Sequence, residues 1–197
     1  MILFICEPNK THCMKILLIC LSILSVSFFS RCADVPTDEE KKIAIETILE
    51  EYNDCKSNAE SNHDCKSFVA RAICEYNGIK DFIKDGEYLE YHDIYDFITS
   101  GGSSWKSLGF APDAKVMADA QKLANDGYAV IAINTEDKHK LPVLIVKGEL
   151  TKSSNWKAEV PTCAAFFPAS SSLESFINKT INYAWSNPAG VEFFVRR

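Results

Sequence analysis

The order of hydrophobic patterns along the chain limits its fold more than any other sequence feature. Between residues 37 and 127, apolar residues recur at helical spacing, and most of these segments end at Gly. After residue 127 the apolar residues come in short runs rich in Val and Ile, which is typical of strands. Helices followed by strands predict an α+β fold, with N-terminal helices packed on a small antiparallel sheet.

Turn and cap signals give the approximate bounds of these elements. A capping box at Thr37–Glu40 predicts the start of the first helix. The second helix is expected to begin at Asp64-Cys65 and to stop at Asn77-Gly78. In chain order, the pattern predicts helices near 37–52, 64–77, 91–98 and 113–127, strands at 128–133, 141–146 and 160–167, a helix at 172–185 and a last strand at 191–195.

The first 32 residues are typical of an export leader. A single Lys precedes 14 mostly apolar residues, Ile16 to Phe29, a length that suits a signal peptide and falls short of the roughly 20 residues of a membrane span. We expect Met14 to be the start, residues 1–32 to be a signal peptide and residues 33–197 to form one domain. Cleavage after Cys32 and a lipid anchor on Cys32 both remain open, and both predict a secreted or cell-envelope protein.

The charge of the exported part excludes one class of partner. The leader holds three of the 21 Lys and Arg residues and one of the 27 Asp and Glu residues, so residues 33–197 carry a formal charge of −8. Proteins that bind nucleic acid draw most of their affinity from neutralising phosphates. A chain of this charge, without a basic stripe, is not expected to bind nucleic acid.

Four cysteines follow the leader, too few for a disulfide scaffold in a domain large enough for an ordinary core. One disulfide together with one free functional thiol is compatible with four cysteines. Cys55 and Cys74 flank the same polar loop, which makes them a candidate pair. Cys163 lies inside a strand pattern and is expected to be buried.

Cys65 is the candidate nucleophile. It lies in the first turn of the second predicted helix, where unpaired backbone N–H groups and the positive end of the helix dipole favour the thiolate. The helical period puts Cys65 on the same face as Phe68, Val69, Ala72 and Tyr76. Its sulfur should therefore point towards the sheet. A buried apolar thiol and half of a disulfide remain open as alternatives.

A thiolate hydrolase also needs a base, usually a histidine. Of the three histidines after the leader, His139 stands where a base would be held rigidly, at the mouth of the second predicted strand. An exposed loop residue is the alternative for His139. His63 is expected in a solvated loop, and His92 is expected on the surface or in partly buried packing.

Several motifs of this chain resemble those of known enzymes. Asp64-Cys-Lys-Ser-Phe-Val69 resembles the nucleophile segment of NlpC-type papain-like cell-wall endopeptidases, whose usual pattern is Asp/Asn-Cys-Ser-Gly-Phe-Val. Residues 119–132 and 143–150 are similar to the passages on either side of the catalytic His in the first family of type VI secretion amidase effectors. Residues 161–163 and 185–195 also have counterparts, so the likeness covers most of residues 60–197.

The resemblance implies a papain-like fold and hydrolysis of an amide bond in peptidoglycan stem peptides, between D-Glu and the following diamino acid. The Cys65 thiolate would attack the carbonyl to form an acyl-enzyme, and His139 would take up the thiol proton and later protonate the leaving amine. By correspondence Cys163 would be the third member of the site. No metal or organic cofactor is implied. Besides the peptidoglycan peptide, an inhibitor or immunity protein remains open as a partner.

The sequence departs from the family at three points. Counted back from Gly148, Leu141 stands where the family has its His, and His139 lies two residues upstream, so either an insertion restores His139 to the site or the site is impaired. Lys66-Ser67 replaces the usual Ser-Gly. The leader indicates ordinary export, whereas such effectors are injected; remodelling of the wall and attack on foreign walls are both compatible with it.

Two other functions remain open on the sequence. One is a non-catalytic cell-wall-binding or surface lipoprotein that retains the fold but lacks a working base, which the Leu141 register favours. The other is a papain-like peptidase that acts on a protein substrate.

Overall fold

Helices lie mostly in the first part of the chain and strands mostly in the second, as the sequence predicts, but strands that it does not predict lie among the helices at Ile83–Lys84, Glu87–Tyr88 and Trp105–Phe110. The structure is a computed structural model that describes residues 36–58, 64–170 and 172–197. The predicted leader, with Met14 and Cys32, lies outside the described residues, as does His63. The described residues belong to the compact unit Val35–Arg197. In this part of the chain no helix is both long and apolar enough to span a membrane.

Four α-helices lie within the described ranges: α1 at Asp38–Asn58, α2 at Phe68–Asn77, α3 at Ile94–Thr99 and α4 at Ala114–Asn125. Short 3₁₀ segments occupy Asp64–Ser67, Tyr91–Asp93 and Ile181–Tyr183. The strands of the same ranges are β1 at Ile83–Lys84, β2 at Glu87–Tyr88, β3 at Trp105–Phe110, β4 at Val130–Asn134, β5 at Pro142–Ile145, β6 at Thr151–Ser153, β7 at Ala158–Val160, β8 at Thr162–Ala165, β9 at Phe176–Thr180 and β10 at Val191–Arg196.

The helix ends confirm the predicted caps. The Thr37 backbone N–H donates to Glu40 Oε2 at 2.7 Å, and the Glu40 N–H donates to Thr37 Oγ1 at 3.3 Å, which is the reciprocal pattern of a capping box. The Thr37 N–H and the Thr37 hydroxyl, which both donate to the Glu40 carboxylate, hold the pKa of that carboxyl below its usual value. Gly78 ends α2 with φ at 65°, a left-handed conformation that glycine adopts without strain. Asp113 caps α4 by accepting the Lys115 N–H at 2.9 Å.

Six of the described strands form one antiparallel sheet in the order β3-β10-β4-β5-β8-β9. The small two-stranded pairs β1-β2 and β6-β7 lie outside it. The α+β class with an antiparallel sheet is therefore confirmed.

The helix predicted at 172–185 is wrong, and its central part is the edge strand β9 followed by the 3₁₀ turn at Ile181–Tyr183. Pairing with β8, in which Cys163 faces Lys179, satisfies the backbone of this segment. Local helical spacing does not register such pairing, because the partner strand lies elsewhere in the sequence. The strand predicted at 160–167 is two strands, since Pro161 separates β7 from β8.

Alternation along the central strands divides the core into two layers. Leu144 and Ala164 face one side, where α1 and α2 cover the sheet. Val143 and Cys163 face the other side, where α4 covers it. The Tyr52 ring of α1 meets the rings of Phe68 in α2 and Phe166 after β8 edge-on, with centroids 5.6 and 5.4 Å apart, which ties the two helices to the sheet.

Truncation of a buried residue of α2 should measure this packing. We expect Ile73→Ala, at a position with 0% exposure, to lower the free energy of unfolding by about 2–5 kcal/mol because it leaves a cavity against the sheet. Ile43→Ala, at a position 54% exposed on α1, is the matched control and should change stability by no more than about 0.5 kcal/mol. Urea unfolding measures both, and equal losses would contradict the packing of α2 described above.

Candidate active site

The sulfur of Cys65 is bonded to that of Cys55, with Cα atoms 6.0 Å apart. Of the two alternatives to a free thiolate, the structure has the disulfide. The suggested pairing of Cys55 with Cys74 is wrong, because Cys74 is a free and buried thiol. In the oxidised form Cys65 is therefore not a nucleophile.

Cys65 nevertheless lies at the predicted place on its helix. It belongs to the 3₁₀ turn Asp64–Ser67, which runs directly into α2. Its side chain is 2% exposed and packs in the layer that includes Val69, Ala72 and Tyr76, as the helical spacing indicates. The disulfide joins this turn to the last part of α1.

At the end of α2, the Tyr76 hydroxyl accepts a hydrogen bond from the Lys147 backbone N–H, two residues after β5, at 3.0 Å. The turn that contains Cys65 and the loop that contains His139 both contact residues 90–95. Lys66 Nζ lies 3.3 Å from the Glu90 carboxylate, and the Lys140 ammonium lies over the Tyr95 ring.

The loop between β4 and β5 carries His139 and is held at several points. Thr135 N–H donates to the Gly190 carbonyl at 2.8 Å. The His139 N–H donates to the Asp137 carboxylate at 2.8 Å, which closes an Asx turn. The Lys140 ammonium lies 4.1 Å from the centre of the Tyr95 ring. His139 is half-buried, so it is not the exposed loop residue that was the alternative.

His139 opens onto a cavity of about 250 Å³. Most of the wall is apolar, and the polar groups are those of Asp137, His139 and Ser170. Cys65 is not among the described residues that line the cavity. The described lining is Asp137, His139, Leu141, Phe167, Ala169, Ser170, Leu173, Ala184 and Trp185.

One lysine connects the end of α1 to this cavity. The Lys56 ammonium, next to Cys55 in sequence, donates to the Ser170 carbonyl at 2.7 Å and to the Phe167 carbonyl at 3.4 Å. Both acceptor residues line the His139 cavity. The disulfide and the cavity wall are therefore attached to the same end of α1.

The placement of Cys163 overturns its prediction as a third member of the site. Cys163 is fully buried in the layer under α4, whereas Cys65 packs in the layer under α1 and α2. The sheet lies between the two side chains, because neighbouring residues of a strand point to opposite faces. On β8 it is Ala164 that faces the Cys65 side.

Asp137 is the polar residue that sequence reasoning overlooked. Its carboxylate accepts the His139 backbone N–H, and its side chain lines the same cavity as His139. An Asp two residues before a His in a polar loop is the signal of an Asx turn, so the sequence contained this information. Within the described ranges no group of three or more His, Cys, Asp or Glu side chains is arranged to hold a metal ion.

The two free thiols should resist alkylation in the native protein. Burial raises the pKa of the Cys74 thiol to about 11 and that of the Cys163 thiol well above its ordinary value, so neither forms much thiolate at pH 8. We expect iodoacetamide to modify both only after guanidinium unfolding, as read by peptide mass spectrometry. Native labelling of Cys163 at the unfolded rate would contradict its placement in the core.

The disulfide should contribute to stability. It joins residues ten apart in sequence, and closing a loop of that size stabilises a fold by about 2–3 kcal/mol. We expect reduction to lower the free energy of unfolding by that amount in urea titrations. Cys55→Ala is the control, because its stability should not respond to the reductant; equal midpoints for the oxidised and reduced protein would refute the assignment.

No protein-family model matches this sequence, and no curated protein matches it either. The likeness to NlpC-type endopeptidases and to type VI amidase effectors therefore rests on the motifs of this chain alone. The α+β class and its antiparallel sheet are compatible with that likeness.

Proposed function

We propose that the protein is an exported cysteine amidase with a papain-like fold, which cleaves an amide bond of peptidoglycan stem peptides when Cys65 is reduced. One observation carries the proposal: the Cys65 turn and the His139 loop both contact residues 90–95, the first through Lys66 and the second through Lys140. Thiol hydrolysis needs a thiol whose anion is favoured, as at a helix start, and a histidine within its reach.

In the reduced form, His139 takes up the proton of the Cys65 thiol, and the thiolate attacks the carbonyl carbon of the stem-peptide amide. Backbone N–H groups at the start of the Cys65 segment stabilise the oxyanion, a contribution of about 3–4 kcal/mol where such donors have been removed. The C–N bond then breaks, His139 gives its proton to the leaving amine, and a thioester remains on Cys65. Water hydrolyses the thioester and restores the thiol.

Two features of the loop support His139 as the base. The Asp137 carboxylate and the Lys140 contact with Tyr95 hold its backbone in one turn. The cavity beside it is open to a ligand, with an apolar wall that includes Trp185 and a polar edge that includes Ser170. Such a mixed lining suits a short peptide, whose side chains and backbone present both kinds of surface.

A non-catalytic cell-wall-binding protein is the second candidate function. Leu141 leads into β5 at the position where the family has its His, and the disulfide occupies the sulfur of Cys65. Cys163 lies on the other face of the sheet, so β8 does not bring it to Cys65 as a third member of the site. In this second candidate function, the cavity beside His139 binds the wall peptide and no bond is cleaved.

Digestion of purified sacculi by the exported, reduced protein tests the proposal. We expect new amine ends in the released peptides, and a loss of about a thousandfold or more in rate for Cys65→Ala and for His139→Ala. Cys163→Ala is the matched control and should keep the rate, because its side chain lies on the other face of the sheet.

The remaining outcomes separate the candidate functions. Binding to sacculi without release of peptides, by the reduced protein, would indicate the non-catalytic binding protein. Release of fragments from casein but not from sacculi would indicate a peptidase with a protein substrate.

A further inference from the structure

We infer that the bond between Cys55 and Cys65 is a redox switch, opened by a dithiol that attacks Cys55 and releases Cys65 as the nucleophile. The inference rests on the proposed function, because it concerns the same sulfur. What motivates it is a coincidence of position: the residue that the helix start and the motif select as the nucleophile is the one that the structure holds in a disulfide.

The two sulfur-bearing residues differ in access. Cys65 is 2% exposed and packs under α1 and α2. Cys55 is only partly buried and lies near the end of α1, one turn before that helix stops at Asn58. Thiol–disulfide exchange requires in-line approach to one sulfur, so the attack falls on Cys55 and Cys65 is the leaving group.

Burial opposes a thiolate at Cys65 as it does at Cys74, but Cys65, unlike Cys74 near the end of α2, lies at a helix start, which offsets the burial and favours Cys65 as the leaving group. The 3₁₀ turn that contains it continues into the ten residues of α2, whose unpaired N–H groups and dipole favour an anion at that end. A stabilised leaving thiolate speeds exchange and also makes the disulfide a stronger oxidant, as it does in catalytic disulfides. The same property suits Cys65 to attack a carbonyl once it is free.

The exchange balances in two steps. One thiolate of the dithiol forms a bond to Cys55 Sγ, the bond between Cys55 and Cys65 breaks, and Cys65 leaves with the electron pair as a thiolate. The second thiol of the reductant then loses its proton and attacks the first sulfur of the reductant, which is bonded to Cys55. This closes the disulfide of the reductant and releases Cys55. The protein gains two electrons and two protons at the two cysteines, and the dithiol becomes a disulfide.

The site should survive reduction. Lys56 continues to hold the Ser170 and Phe167 carbonyls, and the Tyr52 ring continues to pack on Phe68. Neither tie involves sulfur, so the end of α1 and the cavity wall keep contacts when the disulfide opens. Cys55 is partly buried, whereas the other described cysteines are buried, so Cys55 is the more accessible cysteine for a reductant.

The test uses the complete exported protein with dithiothreitol as the dithiol and glutathione as a monothiol probe. We expect the oxidised protein to digest sacculi at least about a hundredfold more slowly than the reduced protein, and re-oxidation to restore the slow rate. Glutathione should be trapped on the peptide that contains Cys55, not on the one that contains Cys65. Both readouts are made on the wild-type chain, so they do not depend on a variant that fails to fold.

Variants sharpen the result. Cys55→Ala should digest sacculi without any reductant and should not respond to dithiothreitol, because Cys65 then has no partner. Cys74→Ala is the matched control from the same layer of the core and should keep the full response to the reductant.

The experiments distinguish failure of the redox switch from failure of the amidase proposal. If iodoacetamide labels Cys65 after reduction and in Cys55→Ala, yet neither protein digests sacculi, the amidase proposal is wrong and the switch with it. If the oxidised protein digests sacculi as fast as the reduced one with its disulfide intact, digestion stands and the switch is overturned. Resistance of the disulfide to dithiothreitol in the folded protein would also overturn it.

Discussion

The packing of α2 on the antiparallel sheet is the constraint on which the rest of the site depends. The bond between Tyr76 and Lys147 ties the end of α2 to the chain just after β5. The Tyr52 ring ties the start of α2 to α1 and to the sheet by contacting Phe68 and Phe166. The disulfide to Cys55 holds the Cys65 turn to the same helix α1.

The chemistry of Cys65 is decided by its partner as much as by its helix. A helix start favours a thiolate wherever a thiol is present, but a sulfur in a disulfide has no proton to lose and cannot become the thiolate that attacks a carbonyl. The structure thus combines a position suited to a nucleophile with a covalent state that prevents nucleophilic attack. Under the proposal, reduction frees Cys65 for an amidase, whereas a permanent disulfide leaves only the binding protein as the candidate function.

The place of His139 before a strand was predicted from the sequence, whereas the residues around it were not. Its place before a strand marked it as a candidate base, and the structure finds it half-buried at a cavity. The partner that holds its backbone is Asp137, two residues away, whereas the correspondence with the family pointed to Cys163. A single step along β8 separates a residue on the Cys65 side, Ala164, from one on the far side, because side chains alternate across a sheet.

The sequence by itself determined what depends on near neighbours in the chain. The capping box at Thr37–Glu40, the glycine stop at Gly78 and the α+β order follow from local hydrogen bonds and from hydrophobic period, so they could be predicted. Only the tertiary structure decided the partner of Cys65, the face of Cys163 and the strand at Phe176–Thr180. Each of these depends on contacts between segments far apart in the chain, where local spacing favours several pairings equally and only the packed core selects one.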